Sequence, residues 1–244
     1  MEALIFDCDG VLADTERDGH RVAFNRAFEE EGLDTIWDVG LYGKLLKIGG
    51  GKERMRGYFD QYGWPVAEPQ RDALIKQLHA LKTEIFMRII SSGELPVRPG
   101  INRIIDEVAA AGVKLAVCST SNERAVNEVV HVLLGPERQK KFAGIFAGDI
   151  VQKKKPDPGI YLFAVKKLGL DPARCLVVED SRNGLLAAKG AGMRCIVTKS
   201  AYTQDEDFSE ADAVFAGLGE PPGPHVTFTD LRRFAATSPL TSPL

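Results

Sequence analysis

The sequence predicts an α/β fold in which helices wrap a parallel β-sheet and a helical segment interrupts the chain. Short apolar runs typical of buried strands recur along the chain, and helical patterns separate most of them. This alternation favours a parallel sheet with helices on its faces. The alternation of strand and helix patterns stops between Gly10 and Pro99, where several amphipathic stretches occur and no strong strand is visible. We interpret that interval as a helical insertion.

The predicted elements follow from this reading. The strands are Ala3-Phe6, Lys114-Cys118, Cys175-Val178, Arg194-Val197 and Ala213-Phe215. The helices between them are Ile101-Ala111, Glu123-Leu134, Pro158-Leu168 and Gly184-Ala191, and those of the insertion are Arg21-Glu31, Val39-Leu46, Glu53-Tyr62 and Asp72-Ile90. Apolar residues at helix-face spacing are expected to form the insertion's own core. We assign residues 1–14 and 97–236 to the core, 15–96 to the insertion and 237–244 to a proline-rich disordered tail.

Composition excludes several classes of partner. The 244 residues carry a formal charge of −3 and have a pI near 5.9, so the chain lacks the excess of positive charge that favours binding to nucleic acid or anionic membrane. No apolar run approaches a bilayer span, and the first strand begins at once, so we expect any targeting segment to have been removed or never to have existed. Without a coiled-coil pattern we expect a monomer. Cys8, Cys118, Cys175 and Cys195 lack metal-site spacing and are interpreted as buried residues in a reducing compartment.

The tetrad Asp7-Cys8-Asp9-Gly10 closes the first predicted strand and is the most informative feature of the chain. Residues two apart on a strand point to the same side, so Asp7 and Asp9 begin on one face. Two close carboxylates repel unless a cation separates them or one holds a proton. The pair therefore indicates a metal site or acid/base chemistry, although a strand followed by an Asx-type turn explains it as well.

Three further clusters follow predicted strands, at the sheet edge where parallel sheets bind ligands. Ser119-Thr120-Ser121-Asn122 precedes a helix and suits either an anion site or an ordinary helix cap. Lys155, unlike its neighbours Lys153 and Lys154, is held by a following proline and can neutralise a phosphate. Glu179-Asp180 ends an apolar run. Together these acids, hydroxyls and the lysine indicate a site for a hard cation and a phosphate.

In this order, Asp7-x-Asp9-Gly10-Val11, Ser119-Thr120, Lys155-Pro156 and Glu179-Asp180 resemble the four signature motifs of the haloacid dehalogenase superfamily of phosphatases and phosphomutases. The resemblance implies a Rossmann-like core with an inserted helical-bundle cap domain. It also implies Asp7 as the nucleophile and Asp9 as the general acid/base, with Ser119, Thr120 and Lys155 holding the phosphate. Mg²⁺ would be bound by Asp7, the Asp9 carbonyl, Asp180 and, directly or through water, Glu179.

Specificity is expected from the insertion. Gly49-Gly50-Gly51-Lys52-Glu53-Arg54 combines exposed backbone N–H groups with two cations, which suits a second phosphate, whereas a flexible loop between helices explains only the glycines. His20 is interpreted as a basic imidazole near Asp9 or a substrate hydroxyl, or as a packing residue.

The glycine-rich loop, with Leu41-Tyr42-Gly43-Lys44-Leu45-Leu46 before it, most resembles the cap of CbbY-type phosphatases, which remove the C1 phosphate of xylulose-1,5-bisphosphate, an inhibitor of Rubisco. The plant and algal version is the more similar one, through Cys118-Ser119-Thr120-Ser121-Asn122, Lys153 to Pro158 and Thr198-Lys199-Ser200. The resemblance implies that the sugar bisphosphate is lined by seven residues: Glu16, His20, Tyr42, Lys52, Arg54, Ser121 and Asn122. The interval from Glu16 to His20 is one residue longer than the bacterial pattern, which leaves the role of His20 open. The implied compartment is the chloroplast stroma in a photosynthetic eukaryote and the cytoplasm otherwise.

Other functions remain open at this point. A sugar phosphomutase similar to β-phosphoglucomutase shares the same motifs, and a phosphatase for another small sugar phosphate would need no change in the core residues. A non-catalytic metabolite-binding module is disfavoured because both Asp7 and Asp9 are present.

Overall fold

The computed structural model describes residues 1–48 and 50–236. Gly49, the first glycine of the predicted ligand loop, and the predicted tail 237–244 lie outside the described residues. The chain divides into two compact units. The sheet unit comprises Met1–Asp14 and the chain from Pro96 onward, and the helical unit comprises Thr15–Leu95.

The described residues of the sheet unit form a six-stranded sheet in the order β3-β2-β1-β4-β5-β6, and all neighbouring strands are parallel. The strands are β1 Ala3–Phe6, β2 Lys114–Cys118, β3 Phe142–Phe146, β4 Cys175–Glu179, β5 Arg194–Thr198 and β6 Ala213–Phe215. The predicted Rossmann-like α/β class is confirmed. The sequence reading missed β3, which lies at the sheet edge.

Helices cover both faces of this sheet. They are α5 Ile101–Ala110, α6 Glu123–Gln139, α7 Gly159–Leu168, α8 Arg182–Gly190 and α9 Phe228–Ala236, of which only α9 was not predicted. Alternate strand residues such as Ile5 and Val177 pack with α7 and α8 in one buried cluster, while α5 contacts β2 and α9 contacts β4 and β5. All four cysteines are free and buried, as predicted.

The helical unit is built from a π-helical segment, Thr15–His20, and four α-helices within the part of the chain described. These are α1 Arg21–Glu30, α2 Val39–Leu45, α3 Gly51–Tyr62 and α4 Arg71–Ser91. Their core is aromatic, since Phe24, Phe28, Trp37 and Phe59 are buried with their rings 4.8–6.2 Å apart. Among the described helices, none combines the length and apolar character needed to span a membrane.

The π-helical segment accommodates the longer interval noted in the sequence. A π-helix holds one more residue per turn than an α-helix, and this segment contains the interval from Glu16 to His20 before α1 begins. Gly19 is buried there, and a Cβ at this position would lie 2.7 Å from the Phe86 ring. The extra residue is therefore absorbed locally, and only glycine fits against Phe86.

Candidate active site and family

The register of the sheet brings the predicted motifs to one edge. Phe6 pairs with Val117 on one side and with Val178 on the other. Asp7, the next residue, donates its backbone N–H to the Val178 carbonyl at 3.0 Å, so it lies level with Cys118 and Glu179. Parallel strands end at the same edge, and three neighbouring strands therefore deliver the first, second and fourth motifs to one place.

Three buried carboxylates form the centre of this edge. Asp7, Glu179 and Asp180 are 7%, 0% and 8% exposed, and each offers an oxygen within 4.8 Å of the others. Burial raises the pKa of Asp7 to about 8, an effect that Lys155 opposes and that Glu179 and Asp9 increase. Burial, followed by Glu179 and Asp7, also raises the pKa of Asp180 well above its usual value.

This donor set fits a hard divalent cation. Mg²⁺ prefers carboxylate oxygens, and a cation among these acids would favour the ionised forms that burial disfavours. Asp7, Glu179 and Asp180 are therefore the residues that could hold it.

Lys155 forms hydrogen bonds with two of these acids. Its Nζ donates to Asp7 Oδ1 and to Glu179 Oε1, both at 2.6 Å, and to the Cys118 carbonyl at 3.0 Å. Burial works against the charged form, but Asp7 and Glu179 outweigh it and raise the pKa of Lys155. Tyr161 on α7 adds a hydroxyl donor to Glu179 Oε1. The third motif thus supplies a fixed, buried positive charge beside the predicted nucleophile.

Two glycines make room for the carboxylates. At Gly10, where φ is +75°, a Cβ would lie 2.0 Å from Asp180 Oδ2. At Gly184 in α8, a Cβ would lie 2.0 Å from the Glu179 carboxylate carbon. Both acids are therefore seated directly against peptide backbone.

Asp9 is held by the second motif. Its Oδ2 accepts a hydrogen bond from the Ser121 hydroxyl and a longer one, at 3.5 Å, from the Ser119 hydroxyl. Ser119 also accepts from the Ser121 N–H at 3.1 Å. Thr120 is partly buried, and its carbonyl accepts from Lys154 at 2.9 Å. Asn122 caps α6 by accepting from the Ala125 N–H.

Asn122 therefore acts as the helix cap that the sequence allowed, while Ser119 and Ser121 contact the Asp9 carboxylate. Binding of an anion by this loop stays a prediction. Lys154 also orients this loop, because its Nζ donates to the Thr120 carbonyl.

In the helical unit, Glu16, Tyr42 and Arg54 form one network. The Tyr42 hydroxyl donates to Glu16 Oε2 at 2.6 Å and accepts from Arg54 Nη1 at 3.0 Å. Arg54 is 8% exposed, and its Nε donates to the Leu45 carbonyl at 3.2 Å. Three residues predicted to bind the sugar bisphosphate thus contact one another. Lys52, at the start of α3, is exposed.

The surroundings of His20 disfavour a charged imidazole. Burial, with Lys82 and Arg54 adding to it, lowers the pKa of His20 well below its usual value. Its Nδ1 lies 3.0 Å from Lys82 Nζ, and its ring centroid is 3.8 Å from that of Phe86. A neutral His20 whose Nδ1 accepts a hydrogen bond from Lys82 fits these contacts.

The sequence reading missed Tyr161, Lys82 and Arg98. Tyr161 and Lys82 lie at unremarkable positions in amphipathic helices, and only their three-dimensional neighbours distinguish them. Arg98 lies in the turn before α5 and donates to the carbonyl of Gly10. No sequence signal marks which carbonyls this arginine reaches.

Comparison with known proteins agrees with this arrangement. A sequence model of the haloacid dehalogenase-like hydrolases matches residues 1–192. The CBBY-like protein of Arabidopsis thaliana is 60% identical over 224 residues, which are 90% of this chain and 70% of that protein. The crystal structure of CbbY from Rhodobacter sphaeroides in complex with phosphate is 41% identical, with a TM-score of 0.76 over 95% of this chain and 99% of that one.

A mutant of that bacterial CbbY has been solved in complex with xylulose-1,5-bisphosphate. It is 42% identical, with a TM-score of 0.74 over 91% of this chain and 97% of that one. The resemblance drawn from the four motifs is confirmed, and the chain belongs to the haloacid dehalogenase-like hydrolase family, with a sequence and fold similar to those of CbbY proteins.

Proposed function

We propose that this phosphatase is Mg²⁺-dependent and hydrolyses the C1 phosphate of xylulose-1,5-bisphosphate through a phospho-aspartyl intermediate on Asp7. The observation that carries the chemistry is the buried cluster of Asp7, Glu179 and Asp180, to which Lys155 is bonded. The substrate is supported by the likeness to the CbbY that was solved in complex with xylulose-1,5-bisphosphate.

In the first step, a carboxylate oxygen of Asp7 attacks phosphorus and the bond from phosphorus to the sugar oxygen breaks. Asp9 gives its proton to the departing sugar oxygen. Lys155 reduces the repulsion between the carboxylate and the phosphate dianion, because its ammonium group is fixed 2.6 Å from Asp7 Oδ1. Mg²⁺, when bound, supplies further neutralisation of phosphoryl charge.

In the second step, Asp9 removes a proton from water, whose oxygen attacks phosphorus. The bond from phosphorus to Asp7 breaks, inorganic phosphate leaves and Asp7 is regenerated. Ser119 and Ser121 orient Asp9 through its Oδ2. Ser119, Thr120 and Lys155 are the proposed phosphate holders in both steps.

We assign the rest of the substrate to Glu16, His20, Tyr42, Lys52 and Arg54, with Ser121 and Asn122 from the sheet unit. The network of Glu16, Tyr42 and Arg54 supports this assignment, because it fixes a buried guanidinium suited to a phosphate. His20 contributes as a neutral imidazole in this proposal.

Phosphate release from a panel of sugar mono- and bisphosphates tests the substrate. We expect xylulose-1,5-bisphosphate to give the highest kcat/KM and chelation of Mg²⁺ to abolish release. A preference for simple monophosphates would remove the role given to Lys52 and Arg54. Isomerised sugar without free phosphate, from a monophosphate with a trace of bisphosphate, would assign a phosphomutase instead.

Asp7→Asn tests the nucleophile. An amide cannot form the acyl phosphate, so release should fall at least about 10³-fold while the circular dichroism spectrum stays unchanged. Asp157→Asn is a matched control, since Asp157 lies in the same unit and its side chain accepts only the local Gly159 N–H among the contacts described. Release retained by Asp7→Asn would show that another group attacks phosphorus.

The compartment and oligomeric state belong to the same proposal. In a photosynthetic eukaryote we place the reaction in the chloroplast stroma, within the Calvin cycle, and otherwise in the cytoplasm; a 60% identical protein occurs in the plant Arabidopsis thaliana. Microscopy of the tagged full-length protein and analytical ultracentrifugation test the stroma and the expected monomer, respectively.

A further inference from the structure

Arg98 donates hydrogen bonds to carbonyl groups in separate parts of the sheet unit. Its guanidinium donates to the carbonyls of Gly10, of Thr198 at 3.1 Å, of Lys199 at 2.7 Å and of Ala216 at 3.1 Å. Its backbone N–H donates to the Leu12 carbonyl at 2.9 Å. One side chain therefore joins the loop after β1 to the ends of β5 and β6.

The first of these contacts reaches the catalytic loop. Gly10 follows Asp9 directly, and its Cα faces the Asp180 carboxylate so closely that a Cβ would lie 2.0 Å from Oδ2. A shift of the Gly10 peptide would therefore move Asp9, Asp180 or both. Arg98 fixes this peptide by a charge-assisted hydrogen bond to its carbonyl oxygen.

The contacts at β5 reach the same acids from the other side. The Thr198 hydroxyl contacts the Glu179 carbonyl at 3.5 Å. Lys199 precedes Ser200, whose side chain interacts with Asp180 and opposes the rise in its pKa. Arg98 thus holds one end of two short chains of contacts, which lead to the two acids at the end of β4.

We propose that Arg98 is a positioning residue for the metal-binding carboxylates, and that it sets the affinity for Mg²⁺ by fixing the peptide groups that carry the Gly10 and Lys199 carbonyls. The inference rests on the proposed function for the identity of the metal. Groups that orient metal ligands typically change metal affinity or activity by about 10- to 100-fold when they are replaced.

The guanidinium is suited to this role by its shape. Its donors lie in a rigid planar fork and can reach several carbonyls in different directions, whereas a lysine presents all its donors on one nitrogen. Arg98→Lys therefore keeps the charge and loses part of the carbonyl contacts. A change in this variant reports on position and not on charge.

Arg103 provides a matched control within the same unit. Its guanidinium also donates hydrogen bonds to three carbonyls at 2.9–3.4 Å, those of Leu218, Gly219 and Val226. These carbonyls belong to the loop before α9. Its remaining described partners, Glu107 and Glu220, are surface acids. Arg103→Lys removes the same kind of contact without touching the peptides beside the carboxylates.

The experiment is thermal denaturation of the full chain at increasing concentrations of MgCl2 alone, because a ligand at concentration c that binds only the folded state stabilises it by RT ln(1 + c/Kd) and so raises Tm according to its concentration relative to Kd. We expect Arg98→Lys to need about 10- to 100-fold more Mg²⁺ than the wild type for the same rise in Tm. Arg103→Lys should lower Tm in the absence of Mg²⁺ yet keep the wild-type Mg²⁺ dependence. In steady-state assays Arg98→Lys should lower kcat, and added Mg²⁺ should restore part of it.

An unchanged Mg²⁺ dependence in Arg98→Lys, or an equal loss in both arginine variants, would overturn the inference. If Arg98→Lys does not fold, Ser200→Ala removes the hydroxyl that interacts with Asp180, together with its contact to Thr203, and wild-type Mg²⁺ affinity in that variant would overturn the inference as well. A wild type that binds Mg²⁺ but releases no phosphate from any sugar phosphate would refute the proposed function while the Mg²⁺ titrations still decide the role of Arg98.

Discussion

Gly184→Ala offers a direct test of how tightly the carboxylate cluster is packed. Gly184 lies in the first turn of α8, and a Cβ there would be 2.0–2.1 Å from the Glu179 carboxylate atoms. The end of a flexible side chain can often move aside at little cost. Glu179 cannot, because it is fully buried and bonded to both Lys155 and Tyr161.

The size of the effect follows from two opposing contributions. Alanine in a helix stabilises by about 1 kcal/mol relative to glycine. Displacing Glu179 breaks its buried ion pair with Lys155, and breaking such a pair costs about 3–5 kcal/mol. We therefore expect the free energy of unfolding to fall by about 2–4 kcal/mol, a large share of the 5–15 kcal/mol typical of a folded domain.

Urea denaturation in EDTA measures this loss, and Gly190→Ala is the control. Gly190 lies in the same helix, but a Cβ there would meet Pro158 at an ordinary 3.5–3.8 Å. Its variant should be neutral or up to about 1 kcal/mol more stable. Added Mg²⁺ should raise the free energy of unfolding of the control as much as that of the wild type. It should raise that of Gly184→Ala much less. Equal stabilities and equal Mg²⁺ responses in the two variants would refute the reasoning.

Three further predictions concern buried polar groups. Lys155→Met leaves two buried carboxylates without their shared cation, so urea denaturation should show a fall of about 3–5 kcal/mol in the free energy of unfolding. The exposed control Lys153→Met should lose at most about 0.5 kcal/mol. Similar losses in the two variants would contradict the ion-pair geometry. Burial lowers the pKa of His20, so its contribution to stability is complete above about pH 6.5 and is lost as the pH falls below that value. The Tm of His20→Gln should therefore fall less than that of the wild type between about pH 7.5 and pH 5, whereas exposed His131→Gln should follow the wild type. Tyr42→Phe removes a hydroxyl that both donates and accepts, and a loss of about 1–3 kcal/mol in urea is expected; an unchanged free energy would show that the network does not stabilise the helical unit.

Four of the five strands that the sequence predicted, β1, β2, β4 and β5, are almost entirely buried, and only the predicted edge strand β6 is partly exposed. β1 and β4 are continuous runs of buried residues, and such runs are recognisable without knowing their neighbours. β3 was missed because its residues are only partly buried or exposed and Gly144 interrupts the apolar run. An edge strand depends on its pairing with β2, which a single sequence does not show.

The residues of the site also fall into those that the sequence reveals and those that it does not. Acids and a lysine that directly follow predicted strands or precede a proline could be recognised from their local sequence, as with Asp7, Glu179 and Lys155. Arg98 and Tyr161 could not, because their partners are distant in the sequence: Arg98 reaches residues 88 and 101 positions away. The pKa of His20 also depended on burial and on Lys82, which lies 62 positions along the chain.

Strand order explains why the motifs form a site at all. In the order β3-β2-β1-β4-β5-β6, the chain leaves β1 toward β2 on one side and later returns to pair β4 with its other side. Connections on the two sides of such a point diverge, which leaves a crevice at the carboxyl ends of the strands. Asp7 ends β1 at this point, between the ends of β2 and β4 that carry Ser119 and Glu179. A sequence with the same motifs on non-adjacent strands could not bring the proposed nucleophile, the proposed phosphate holders and the cluster of acids together. The catalytic arrangement is thus a property of the topology as much as of the residues.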